Sequence, residues 1–192
     1  HPSVSVVPPS AGYLVPAAHA AWVGAKLKQH GITFTVTGPQ SQATIETFRA
    51  VTAKAGAQSF EGHQTLAVTG SWKPEVRDIA AGSLFVPIAQ GKSRLLMSML
   101  EPLAPDSLLA WGSFNNAFER KEYMEDYVAE QVARDMLSAD PALRARFEQR
   151  LKDEPAFAAS PQARLDFFAR LHSSWDEQYY LYPVMRTDTI PQ

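Results

Sequence analysis

His30-Gly31-Ile32-Thr33-Phe34-Thr35-Val36 holds a helix stop and a strand start within one short run. Upstream, Ala17 to Gln29 is rich in Ala and sets Trp22, Val23 and Leu27 at helical spacing. His30-Gly31 ends that helix, because Gly readily takes the left-handed conformation that closes a helix C-terminus. Downstream, Ile32, Phe34 and Val36 alternate with Thr33 and Thr35, the pattern of a half-buried strand. The chain therefore calls for both element types side by side, and the rest of it extends each.

Working outward, Tyr13-Leu14-Val15 reads as a short apolar strand closed by Pro16. Thr44 to Val51 and Thr65 to Thr69 read as two Thr/Val-rich strands around Gly56 and Gly62. Ser83 to Ile88 is another, with Pro87 demanding an edge or an end position. Helices then take over. Lys92 to Leu100 is apolar and stops at Glu101-Pro102, and Asp106 is an expected N-cap for Ser107 to Trp111. Lys121 to Leu137 carries Met124, Val128, Val132 and Met136 every four residues, a stripe expected to face the interior. Lys121–Glu125 and Glu130–Arg134 are i,i+4 pairs on its wet side, as is Glu122. Asp140-Pro141 and Ser160-Pro161 each place a capping side chain before a Pro at the first helical position. They open helices with Leu143, Phe147 and Leu151, and with Leu165 and Phe168, turned inward over Gln162 to His172. The aromatic tail, Trp175 to Met185, is too apolar to dangle and is expected to pack back on the body. The expected fold class is α+β: a charge-poor mixed β-sheet part with one helix, then a helical C-terminal part. Residues 1–192 are read as a single domain with a strand-rich half, 1–100, and a helical half, 101–192.

Charge divides the same two halves. Residues 1–100 hold four acids and eight bases; residues 101–192 hold sixteen acids and ten bases. Twelve charges in the first 100 residues are few for a freely solvated surface, so that half is expected to be covered by something. The whole chain carries a net charge of −2, so no global field favours nucleic acid or an anionic membrane. No apolar run is long enough for a transmembrane helix. At 192 residues, roughly 70% of the unfolded surface can be buried, enough for a core without staples. There is no Cys, which removes disulfides, thiolate zinc sites and a cysteine nucleophile. The His1-Pro2-Ser3 opening shows no basic segment followed by an apolar one, so a processed protein or an excised fragment is expected, with a cloning scar at the first residues as the equal alternative.

Chemical signatures are scarce. His1, His19, His30, His63 and His172 include no His-x-x-Glu and no His pair at helical spacing. His172 with Asp176, and Glu61 with His63, are the nearest approaches to ligand pairs. No nucleophile elbow and no Gly-rich phosphate loop is present. Glu119, Glu122, Glu125, Asp126 and Glu130 read as a solvated helix face. Arg144, Arg146, Arg150 and Lys152 are broken up by acids and lack interleaved aromatics for nucleic acid. Trp175, Tyr179, Tyr180 and Tyr182 read as a packed anchor. No catalytic, cofactor-binding or metal-binding residue is assigned; Tyr13, Glu61 and His63 are the candidate interaction residues.

Several short segments carry a resemblance. Gly12-Tyr13-Leu14-Val15-Pro16, His30-Gly31-Ile32, Phe60-Glu61-Gly62-His63 and Ala81 to Pro87 belong to it. So do Leu100-Glu101-Pro102, Pro105-Asp106-Ser107-Leu108, Trp111-Gly112, Phe118 to Glu125, Trp175-Asp176-Glu177 and Leu181-Tyr182-Pro183-Val184. Together they resemble the C-terminal region of bacterial zinc carboxypeptidase-like proteins of the carboxypeptidase A superfamily. The resemblance implies an upstream domain that binds zinc through His-x-x-Glu and a later His and trims peptide C-termini. This chain has none of that motif, so the resemblance implies no catalytic residue and no zinc here. It implies a non-catalytic domain whose partner is the upstream peptidase domain; the charge-poor residues 1–100 are the expected docking half. A periplasmic or secreted location is expected ahead of a cytoplasmic one. Two other expectations stand beside it: a free-standing binding module with its ligand near Tyr13, Glu61 and His63, and a hydrolase with an unrecognised site.

Overall fold

The computed structural model describes residues 6–119 and 124–191. The His1-Pro2-Ser3 opening, the Lys121–Glu125 pair and Glu122 fall outside those residues or depend on one that does. The fold is α+β. Contacts divide it into two compact units, residues 1–119 with 178–192, and residues 120–177.

The first unit is built on strands β1 (Gly12–Val15), β2 (Thr35–Val36), β3 (Gln40–Ala55), β4 (Leu66–Ile79), β5 (Leu84–Pro87) and β6 (Met185–Thr187). They form one sheet in the order β2-β5-β1-β6-β3-β4, antiparallel at every pairing. Laid flat, four inter-strand steps would separate β2 from β3 by about 19 Å. Only residues 37–39 join them, a reach of about 14 Å. The sheet therefore curls. Strand alternation then fills two cores. Tyr13, Val15, Leu84, Val86 and Phe48 meet helices α1 (Ala17–Gln29) and α2 (Ser93–Leu100) on one face. Leu14, Phe85, Ile45 and Ile79 close a smaller cluster on the other. Fully burying a side chain such as Phe48 contributes about 2–3 kcal/mol.

Two bulges, at Gln40–Ala43 and Ala50–Thr52, bend β3. The second makes Val51 an unpaired extra residue, 76% exposed. The buried phase of β4 also changes. Leu66, Val68 and Trp72 turn toward the large core, whereas Glu75, Arg77 and Ile79 are covered further along. β3 and β4 thus run well beyond the expected Thr44–Val51 and Thr65–Thr69. Their polar ends hide the alternation because β4 is an edge strand, where charge and Pro are tolerated.

Other expectations need correction. The strand over Ile32–Val36 shortens to Thr35–Val36. The Gln90 side chain takes the Thr33 N–H and C=O that a neighbouring strand would have used. Val36 lies on the sheet edge and is exposed. No helix forms over Ser107–Trp111; the Ser107 hydroxyl accepts the Ala110 N–H and holds a turn instead. Pro87 ends its strand, as its missing N–H requires. The aromatic tail packs back, burying Leu181, Tyr182 and Val184, and it also inserts β6 between β1 and β3.

The second unit contains α3 (Asp126–Ala139), α4 (Pro141–Asp153), α5 (Pro155–Ala159) and α6 (Pro161–Ala169). Asp140 caps α4 by accepting from Ala142 and Leu143 N–H at 2.9 and 3.0 Å; Ser160 caps α6 at Ala163 N–H. Phe147, Phe157, Phe167 and Phe168 pack ring against ring, with centroid separations of 4.8–6.0 Å, under the Arg150 guanidinium. α3 begins at Asp126, because Glu125 has ψ 141°, outside the helical region; the expected start over residues 121–123 lies outside the described residues. Its buried ridge is Ala129 and Ala133, not Val128, which is 37% exposed. Small side chains form the face that meets its neighbours, so the larger Val132 and Met136 sit only half-buried on its flank.

Candidate binding groove and buried charge cluster

The connection between β3 and β4 ends in a two-residue turn. Glu61 and Gly62 both have positive φ, 49° and 77°, and Phe60 and His63 exchange backbone hydrogen bonds of 2.9 and 2.8 Å across it. The turn sets Phe60 and His63 beside Trp111, with ring centroids 5.9 and 5.5 Å away. Trp111 is held by its N–H to Ser107 C=O at 3.0 Å. Gly112 follows with φ 77°; a Cβ there would lie 2.0 Å from the Gln64 carbonyl oxygen, so only Gly lets the loop close on the hairpin. Asn115 Nδ2 donates to the same carbonyl.

Between the hairpin and the loop after α2 lies an open groove of about 670 Å³. Small and apolar residues form its walls, among them Ala55, Ala67, Pro102 and Leu103, with Phe60 and Trp111 at one end. Lys54 and Asp106 are its charged residues. Such a surface fits an apolar segment with little charge of its own.

The second feature is a buried charge cluster. One register row runs from Val86 through Tyr13, Arg186 and Glu46 to Pro74 across five strands. Glu101, which follows α2, reaches down to it and is 2% exposed. Its carboxylate accepts from Tyr13 Oη at 2.5 Å, from Arg186 Nε at 2.9 Å and Nη2 at 2.6 Å, and from Trp72 Nε1 at 3.3 Å. The Arg186 guanidinium also lies over the Trp72 ring, 4.3 Å from its centroid. Burial, and then the Glu101 charge, push the Tyr13 hydroxyl well above the ordinary tyrosine range. The same two causes raise Tyr182, whose hydroxyl donates to Leu100 C=O at 3.0 Å. Every oxygen of this carboxylate is already satisfied within the fold.

A second ion set lies on β3 and β4. Glu75 bridges Arg49 at 2.8 Å and Arg77 at 2.7 Å. Burial alone would raise Glu75, but hydrogen bonds from Arg49 and Arg77 outweigh it and bring the carboxyl down to about 2.

The candidate interaction residues therefore separate. Glu61 and His63 share one exposed turn at the groove's aromatic end. Tyr13 is wholly buried, bonded to Glu101. Glu101, Arg186 and Trp72 escaped sequence reading, as did the groove around Trp111 and Leu103. A lone Glu closing an apolar helix in a charge-poor region was the available signal for Glu101. Among the described residues, no three His, Asp or Glu side chains converge to hold a metal ion, and no helix is long and apolar enough to cross a membrane. No protein-family model, no curated protein and no solved structure matches the chain.

Proposed function

We propose that this chain is an accessory, non-catalytic domain of a zinc carboxypeptidase-like protein and packs against the upstream peptidase domain through its strand-rich unit. One observation carries the reading. Five charged side chains of the strand-rich unit are turned onto one another, in Glu101–Arg186 and Arg49–Glu75–Arg77. Meanwhile Val36, Val51, Val76 and Phe60 each stand more than half exposed. Internally spent charge with apolar side chains left in water is what a surface destined for cover looks like. The test is to express the upstream domain separately and mix it with the 192-residue chain. Co-elution is expected, as is turnover of a C-terminally unblocked peptide only where the upstream domain is present. Turnover by this chain alone would refute the non-catalytic reading. An upstream domain that is stable, active and indifferent to the chain would refute the docking. The groove beside His63 favours a second reading, a free-standing binding module, which gains in that last case.

A further inference from the structure

β4 is an edge strand, and its outward backbone can be assigned. Thr65 C=O points inward, accepting from Gly56 N–H on the far side of the hairpin, and Leu66 N–H points outward, donating to Ala110 C=O. Backbone direction alternates along a strand, so Val68, Gly70, Trp72 and Pro74 also point outward. Pro74 conforms, since an outward position is the one where a strand loses no ladder bond to Pro. Among the described residues, no backbone partner is present for the outward groups of Val68, Gly70 and Trp72.

The two halves of this edge differ in protection. Lys73, Pro74, Glu75, Arg77 and Asp78 guard the far half with the charges and Pro that natural edges use against strand pairing. Leu66 to Trp72 has no charge and no Pro. The unguarded half is the one that starts in the groove, which Leu66, Ala67 and Val68 help to line. Its first rung is already closed by another stretch of backbone, Ala110 C=O on Leu66 N–H. The open rungs continue that pairing.

The geometry points to strand addition: the β4 edge from Val68 to Trp72, with the adjoining groove, binds an extended, uncharged peptide segment. A row of alternating N–H and C=O groups is satisfied only by another extended backbone. The small walls of the groove admit that backbone closely, and Leu103 and Trp111 receive its apolar side chains. This goes beyond the accessory-domain reading: the occupant is a segment of a separate protein, and pairing with a second copy of this chain is the alternative that the test separates.

The probe is a displayed library of random peptides of about nine residues, panned against the 192-residue chain. The best binder is resynthesised, labelled and measured by fluorescence anisotropy. An uncharged sequence is expected. Methylating the alternate backbone nitrogens that face β4 should weaken it about tenfold or more, while methylating the opposite set should change little. Val68→Pro removes one outward N–H and no ladder bond and should weaken binding about tenfold. Because Val68 also packs against the large core, the unfolding temperature should fall. Val68→Ala, which trims the same packing but keeps the N–H, should lower it similarly while weakening binding far less. Leu103→Asp should weaken binding independently, and Val76→Thr, beyond Pro74, should not. Amide exchange on the unaltered chain supplies a readout free of folding effects: bound peptide should protect Val68, Gly70 and Trp72. Failure to enrich any binder, indifference to N-methylation, or protection confined to other segments would overturn the proposal. So would a dimer in solution that Val68→Pro dissociates, since the edge would then belong to a second copy.

Discussion

Glu101 has the most to lose of any single side chain, because it answers Arg186, Tyr13 and Trp72 at once from a site that water hardly reaches. Glu101→Ala leaves a buried guanidinium facing a cavity, and urea denaturation should show a loss of about 3–5 kcal/mol. Tyr13→Phe removes one hydrogen bond to a charge but keeps the ion pair, so a smaller loss of about 1.5–3 kcal/mol is expected. The pH dependence follows from two groups of opposite sign. Tyr13 and Tyr182 are raised above the ordinary value of 10.0. Above pH 10 the unfolded chain releases their protons while the folded chain keeps them. Stability is therefore full below about pH 10 and falls as pH rises, by up to about 1.4 kcal/mol per pH unit for each tyrosine. Glu75 is depressed from 4.5 to about 2. Its contribution is present above pH 4.5 and disappears as pH falls toward 2. Glu75→Gln should flatten the acid limb of a stability–pH curve and leave the alkaline limb alone, whereas Tyr13→Phe should do the reverse. A variant pair that altered both limbs equally would contradict these assignments.

At the scale of elements, α3 gives the sharpest contrast. Ala129 is 3% exposed, so Ala129→Asp would bury an unpaired carboxylate and should cost about 2 kcal/mol or more. Val128→Asp, at a position 37% exposed, should cost about 1 kcal/mol or less. Denaturation followed by far-UV circular dichroism measures both, and a larger effect at Val128 would mean that the helix is rotated. Asp140→Ala should remove about 1 kcal/mol through the lost cap of α4. The same elements show what the sequence could and could not reveal. Caps are local chemistry, so Asp140-Pro141 and Ser160-Pro161 announce their helices directly. The face of α3 was misread because size alone ranks Val above Ala, while close helix packing selects the smaller side chain. The length of β4 was hidden because an edge strand needs no apolar alternation on its outer run. The bulge at Val51 shifts alternation by one residue, and only pairing with β4 exposes it. Nothing local indicated that Tyr13, Glu101 and Arg186 meet, since 85 residues of sequence separate the last two.

For the whole molecule, chain order and spatial order part company at the ends of the helical unit. Residues 178–192 return to the strand-rich unit, where β6 lies between β1 and β3 and Arg186 meets Glu101. Tyr180 N–H donates to Ala117 C=O at 3.1 Å. The two chain segments that lead out of the strand-rich unit and back into it are therefore hydrogen-bonded neighbours. A short Gly/Ser linker can join Glu119 to Gln178 without strain, because a few residues of flexible chain span such a gap. Replacing residues 120–177 in this way removes none of the large-core side chains among the described residues, which all lie outside that stretch. The shortened chain should keep the near-UV circular dichroism of Trp22, Trp72 and Trp111 and melt cooperatively. Deleting residues 178–192 instead is far smaller in mass but takes out a central strand. It splits β1 from β3, uncovers the face that Tyr182 and Val184 fill, and leaves Glu101 buried without its cation. That truncation should show no cooperative melting transition and should expose apolar surface to a dye such as ANS. A cooperative fold that survives the fifteen-residue truncation and fails on the larger excision would show that the helical unit, not β6, completes the sheet.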